Sequence, residues 1–155
     1  MKQISDFARR FGAEISLDEN LIVTRQNRYF LVNEDLKKLL SKGFFYAGTY
    51  LGRLKNDVFF PSFNLTRMIA ESQANKTVVD EKTEWLFICG RDIFKRGITE
   101  IKGSKRRGAR TLILNQKQEC LGFGRILKDL NEEQDRNQPA IENLLDIGDF
   151  LRREK

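Results

Sequence analysis

Between residues 95 and 110 the chain carries Lys95, Arg96, Lys102, Lys105, Arg106, Arg107 and Arg110 against a single acid, Glu100. Lys and Arg at this density do one kind of chemistry well. They displace counterions from phosphates, a sequence-independent attraction that weakens steeply with salt. Gly103, Ser104 and Gly108 lie among them and predict a flexible loop whose backbone amides can approach phosphate closely. A run of charge is ordinarily a solvated surface. Here the compensating acids are gathered downstream, between residues 129 and 149, so the pattern predicts a polarised surface and phosphate contact. A second basic cluster, Arg152, Arg153 and Lys155, ends the sequence. Cations in the last turn of a helix also complement its dipole, so position alone leaves a structural and a ligand-binding role in balance there.

Other chemistries find little support. Histidine is absent, so the usual zinc, haem and imidazole sites cannot be assembled. The two cysteines, Cys89 and Cys120, have no second thiol nearby in sequence and are expected in the core as small apolar residues. Gly122-Phe123-Gly124 lacks the third glycine of a dinucleotide loop, and no Gly-Lys-Ser/Thr stands at phosphate-loop spacing. Asp146 and Asp149 flank Gly148 at a strand-to-helix junction, where capping is the ordinary role of Asp. Lys42-Gly43-Phe44-Phe45-Tyr46 fits the RNA-stacking signature of an RRM strand poorly. Phe44, Tyr46, Tyr50, Phe59, Phe60 and Phe63 are therefore read as core and interface packing. The expectation is a non-enzymatic protein with no metal and no cofactor.

With 155 residues, 40% of them hydrophobic and 32% charged, and a formal charge of +6, the chain can bury one ordinary core or two small ones. It has no apolar run of membrane-spanning length, and residues 1–11 lack the apolar core of a signal peptide, so a soluble cytoplasmic protein is expected. Ile4, Phe7, Ala8 and Phe11 at helical spacing, stopped by Gly12, predict an opening helix. Residues 21–25 and 29–32 read as a hairpin joined at 26–28. Asn33 should cap a helix with Leu36, Leu39 and Leu40 on one face, ended by Gly43. Residues 44–51 and 58–60 read as strands about a turn at Lys55 and Asn56. Asn64 should cap a further helix with Leu65, Met68 and Ile69 inward. The polar stretch 75–83 around Val78 and Val79 is taken as a boundary, dividing a mixed α+β domain 1–78 from a second domain 79–155. The second part reads as a strand at 85–89, a short helical segment at 92–95, the basic loop, and strands at 111–115 and 120–127. An acidic connection at 129–138, a closing strand and a terminal helix follow. Glycine-rich turns between short strands indicate a small barrel.

Three segments in order carry a resemblance: Gly90-Arg91-Asp92-Ile93-Phe94-Lys95-Arg96-Gly97-Ile98, Leu121-Gly122-Phe123-Gly124 and Asp146-Ile147-Gly148-Asp149-Phe150-Leu151-Arg152. Together they resemble the PUA domain, an RNA-binding module. Gly48-Thr49-Tyr50-Leu51-Gly52-Arg53 extends the likeness over nearly the whole chain to the Nip seven family of ribosome-biogenesis factors, of archaeal type by its short length. The resemblance implies an α+β protein, with an N-terminal mixed α/β pre-PUA domain followed by a small PUA-type pseudo-β-barrel. It further implies a non-catalytic factor of large-subunit maturation that binds precursor ribosomal RNA and ribosome-assembly proteins, with no membrane and no DNA partner. In PUA domains RNA lies against the first helix, the loop after it and the C-terminal segment. On this sequence those map to Lys95, Arg96, the loop to Arg110, and Arg152 with Arg153, which tips the C-terminal cluster toward ligand binding. Glu142 and Asn143 stand in the closing strand where the family tends to be more apolar. The first half is assigned to protein contact or to bracing the barrel. The alternatives are an accessory or catalytic component of an RNA-modification system, with the PUA half delivering substrate, and a protein-interaction module with an acidic partner.

Overall fold

The computed structural model describes residues 1–40, 43, 46–133 and 135–153, with the backbone alone at Phe150 and Arg153. Lys42, Phe44, Phe45 and Lys155 lie outside the described residues; of the strand expected at 44–51, Tyr46 to Gly48 are described and are not strand, and the strand begins at Thr49 and runs on to Lys55. Helix α1 (Lys2–Arg9) buries Ile4, Phe7 and Ala8, and Gly12 leaves it with φ of +68°. Strands β1 (Ile22–Arg25) and β2 (Arg28–Leu31) are joined by Gln26 and Asn27, both at positive φ. Two such residues give the turn whose twist matches that of the flanking strands. Asn33 caps α2 (Glu34–Leu39) by accepting from Leu36 N at 2.8 Å. Strands β3 (Thr49–Lys55) and β4 (Val58–Pro61) turn through Asn56 and Asp57 in the same way. Helix α3 (Phe63–Glu71) is capped by Ser62, not Asn64. The Ser62 hydroxyl accepts from Leu65 N at 3.1 Å and donates to Tyr50 O at 2.6 Å, tying the helix start to β3. The four strands form an antiparallel sheet in chain order.

The second half contains β5 (Lys76–Val79), α4 (Glu81–Ile88), β6 (Ile93–Phe94), a 3-10 turn (Lys95–Gly97), β7 (Ile98–Lys102), β8 (Arg110–Leu114), β9 (Cys120–Ile126), β10 (Pro139–Asp146) and α5 (Ile147–Arg153). Its strands lie in the order β6-β10-β9-β8-β5-β7 and curl into a half-barrel. Residues 85–89, expected as a strand, lie in α4 and its C-terminal cap. Asp80 caps that helix by accepting from Thr83 N at 2.8 Å. Its short apolar run did not distinguish the two states, because both allow five consecutive apolar residues. Of these, Phe87 is fully buried whereas Trp85 is 67% exposed. The helical segment expected at 92–95 is β6, which pairs Ile93 with Ile141 and Phe94 with Pro139. Strand β7 occupies part of the expected loop. The boundary drawn after residue 78 falls inside β5, which runs parallel to β8 and antiparallel to β7.

Two clusters of buried side chains result. One fills the half-barrel with Val79, Phe87, Ile93, Ile113, Leu121, Ile126 and Ile141. The other joins α1, the first sheet and α3 to Leu112 of β8 and Phe123 of β9. Leu112 and Ile113 fall into different clusters because successive residues of a strand face opposite sides. The Phe123 ring lies 5.7 Å from that of Phe7 and 5.3 Å from that of Phe11. The two sheets are separate, but the first core belongs to both halves.

The cysteines differ. Cys89 follows α4 and is exposed, contrary to expectation, while Cys120 is half-buried. Burial, the largest influence, pushes the Cys120 thiol from its ordinary value near 9 up to about 11. A thiol reagent at pH 8 should therefore label Cys89 in the native protein and leave Cys120 largely unmodified, as peptide mass spectrometry would show; equal labelling of both would contradict the burial. Because the folded protein holds this proton more tightly than the unfolded chain, the associated stability is present below about pH 9 and is lost as pH rises toward 11.

Candidate nucleic-acid interface

The basic segment after β7 is an ordered turn. Asn75 holds it at both ends, its Oδ1 accepting from Ser104 N at 2.9 Å and its Nδ2 donating to Arg110 O at 3.1 Å. The same residue's backbone donates to Phe11 O at 2.7 Å and accepts from Leu112 N at 2.9 Å. Gly103 has φ of +87°, and a Cβ there would fall 2.3 Å from Asn75 Oδ1, so side chain and glycine fit each other. Further along, Gly108 N donates to Ile126 O at 2.8 Å, and Ile126 N donates to Ala109 O at 2.9 Å. Leu130 N donates to Lys105 O at 2.9 Å. Glycine here permits the tight turn, where a flexible loop was expected. Asn75 was not foreseen, because its partners lie far from it in sequence and its neighbours show no pattern.

This turn presents Lys105, Arg106 and Arg107 to solvent. Among the described residues no carboxylate forms an ion pair with any of the three. Lys102 meets Glu100 at 3.5 Å and stands opposite Lys76 in the β5–β7 register. Arg110 stands opposite Arg125 on β9. Like charges directly opposite one another repel, and the chain offsets one of these. Arg125 donates through Nη2 at 2.6 Å and Nε at 3.0 Å to Glu142 on β10, which gives the unexpected acid of the closing strand a task. The pKa of Arg110 is lowered, first by burial and then by the charges of Arg10 and Arg125. Near the junction of α1 and the second sheet, a half-buried cation thus sits under the influence of two others, an arrangement that a bound anion would relieve.

The remaining residues singled out from sequence lie elsewhere. Lys95 and Arg96 follow β6 and hold the 129–138 connection: Lys95 Nζ donates to Glu132 O at 2.7 Å, and Arg96 Nη1 donates to Asn137 Oδ1 at 3.0 Å. The Arg96 guanidinium also lies 5.5 Å from the centre of the Phe94 ring. Arg152 donates to Ile88 O at 3.2 Å and to both oxygens of Asp146, at 3.3 and 3.4 Å. Asp146 in turn caps α5 by accepting from Asp149 N at 2.8 Å. Asn143 Nδ2 donates to Phe87 O at 2.9 Å and to Asp146 Oδ2 at 3.1 Å, so this polar residue of β10 ties the strand to the end of α4. Strand register sets the two basic clusters apart. Arg110 pairs with Arg125 near one end of β9, whereas Asp146 pairs with Gly122 near the other. From Gly122 to Arg125 the strand rises by roughly 10 Å, so a track touching both clusters must follow the sheet lengthwise. The Arg153 side chain and Lys155 lie outside the described part of the chain.

With this geometry in hand, residues 75–155 match the family described as the UPF0113 PUA domain. The chain belongs to the UPF0113 PUA-domain family. A UPF0113 protein of Archaeoglobus fulgidus is 30% identical over 112 residues, a match that spans 71% of this chain and 63%, less than two thirds, of the relative. A conserved PUA domain protein from Thermoplasma acidophilum is similar in structure with a TM-score of 0.62 at 20% identity, over 97% of this chain and 90% of that one. A PUA domain from Aeropyrum pernix K1, solved as a tartrate complex, matches with the same TM-score at 13% identity, over 97% and 83% of the two chains. At these identities the likeness concerns the fold. The UPF0113 match begins at Asn75, the residue that holds the basic turn. The first helix of this PUA domain is α4, so Lys95 and Arg96, mapped from sequence onto that helix, belong instead to the segment after β6. Among the described residues, no helix is long and apolar enough to cross a membrane.

Proposed function

We propose that this protein binds RNA without modifying it, and that it acts in the cytoplasm on precursor ribosomal RNA of the large subunit together with assembly proteins, as its resemblance to the Nip seven family suggests. The observation that carries the reading is the turn after β7. Lys105, Arg106 and Arg107 are exposed on a PUA domain, without paired carboxylates among the described residues, and Asn75 holds the turn at both ends. Such a turn attracts phosphate with little ordering left to do on binding, which lowers the entropic cost of association. The first half braces the barrel by sharing its core with β8 and β9.

Replacement of Arg106 and Arg107 by Ala should weaken binding to single-stranded RNA and flatten its salt dependence, by roughly 0.7 in log-log slope for each phosphate that is no longer neutralised. Unchanged affinity and slope would refute the phosphate role. In cells, crosslinking and sequencing should recover precursor ribosomal RNA; enrichment of other RNA instead would count against the biogenesis role.

A further inference from the structure

The first sheet packs one face on α1 and α3, through Tyr29, Leu51, Leu65 and Ile69. Its other face has a composition that packing alone does not explain. Strands β1–β4 contain Arg25, Arg28, Arg53 and Lys55 and no carboxylate. Phe30, Tyr46 and Tyr50 form a cluster of rings, with centroids 5.1 Å apart for Phe30 and Tyr46, 5.5 Å for Phe30 and Tyr50, and 6.4 Å for Tyr46 and Tyr50. Register extends this face across the sheet: Phe30 opposes Tyr50, Arg28 opposes Arg53, and Arg53 opposes Phe60. Burial, the largest influence, raises the Tyr50 pKa, and the charges of Arg53 and Arg28 act in the opposite direction. Phe30 is fully buried beneath, but Tyr46 is 57% and Phe60 38% exposed.

Open rings beside cations, with no acid in the strands, suit a ligand that alternates flat π-faces with negative charge. Single-stranded nucleic acid does so, since every base offers a stacking face and every linkage a phosphate. We propose that this face is a second contact for single-stranded RNA, in which Tyr46, Tyr50 and Phe60 stack on bases while Arg53 and Lys55 meet the phosphates between them. The proposal rests on the RNA-binding reading above and assigns these aromatics a role that packing had been expected to exhaust.

The two surfaces leave different signatures. Stacking releases no counterions, so removal of the rings lowers affinity without changing the salt slope, whereas removal of the basic turn changes both. In the full chain, Tyr46→Leu combined with Phe60→Leu keeps apolar bulk at two exposed positions. Binding of a labelled twelve-nucleotide uridine RNA should weaken about tenfold at unchanged salt slope. Arg106→Ala with Arg107→Ala, measured alongside, should reduce the slope. Unchanged affinity in the ring variant overturns the platform even if the turn variant behaves as expected; an unaffected turn variant instead refutes the phosphate role of the turn. Ultraviolet crosslinking of the unaltered chain gives an answer independent of the variants' folding. Uridine adducts on Tyr46, Tyr50 or Phe60 support the proposal, and adducts confined to residues 75–155 overturn it. Competition by polyglutamate as effective as by RNA would assign the face to an acidic protein and overturn it too.

Discussion

Phe123→Ala is expected to lower stability by about 3–5 kcal/mol and to do so for both halves of the chain at once. Phe123 sits on β9 of the second sheet, yet its ring meets those of Phe7 and Phe11 on and just after α1, and it is only 5% exposed. Truncation removes the transfer free energy of the ring. It also leaves a cavity between two sheets whose backbones are fixed by their own hydrogen bonds and cannot close in. Leu112, opposite it on β8, lies in the same core and would border that cavity. In a chain of this length each kcal/mol corresponds to roughly 2–4 °C in Tm, so calorimetry should show one transition displaced by about 10 °C. Two transitions, of which only one moves, would show that the halves fold independently and that the shared core is a weak contact. The same geometry makes a cut after residue 78 destructive, since it would divide β5 and part α1 from Phe123.

How much of this was legible in sequence depended on range. The α1 pattern, the first hairpin and the Asn33 cap rest on neighbours within a few residues, and local pattern was enough to locate them; in the second hairpin β3 lies further along the chain than expected, at Thr49–Lys55. The α3 cap went to Ser62 because its hydroxyl also bonds Tyr50 O, a partner twelve positions away that local propensity cannot register. Strand β5 read as a polar boundary because Lys76 and Thr77 look solvated. In the sheet, Thr77 is buried and its hydroxyl meets that of Thr111 at 2.9 Å. The cationic turn was visible from charge alone. Its order was not, since Asn75 acts on Ser104, Arg110, Phe11 and Leu112. The C-terminal cluster remained ambiguous until Arg152 was placed against Asp146 and Ile88 O, where it has a structural task whether or not RNA reaches it.

Asp146→Ala should be the most damaging change in the closing segment, at about 2–4 kcal/mol. The residue is 3% exposed and its side chain meets three groups: Asp149 N at the start of α5, the Asn143 amide and the Arg152 guanidinium. Loss of a capping oxygen alone costs about 1 kcal/mol. The rest comes from removing a nearly buried carboxylate that also accepts from the Asn143 amide and the Arg152 guanidinium. The helix cannot shift to compensate, because a Cβ at Gly148 would already lie 2.3 Å from Ile88 O, showing how closely α5 approaches the end of α4. Arg152→Ala should cost much less, about 1 kcal/mol or below, because its side chain is 52% exposed and solvent screens its ion pair with Asp146. Asp146→Asn should fall between, keeping a capping oxygen while losing the charge that faces Arg152. Urea midpoints in the order Asp146→Ala lowest, Asp146→Asn next and Arg152→Ala nearest the parent would establish the carboxylate as the anchor of α5. A midpoint for Arg152→Ala as low as that of Asp146→Ala would move the anchor to the guanidinium and its bond to Ile88 O, and would make any loss of RNA affinity in Arg152 variants a consequence of unfolding.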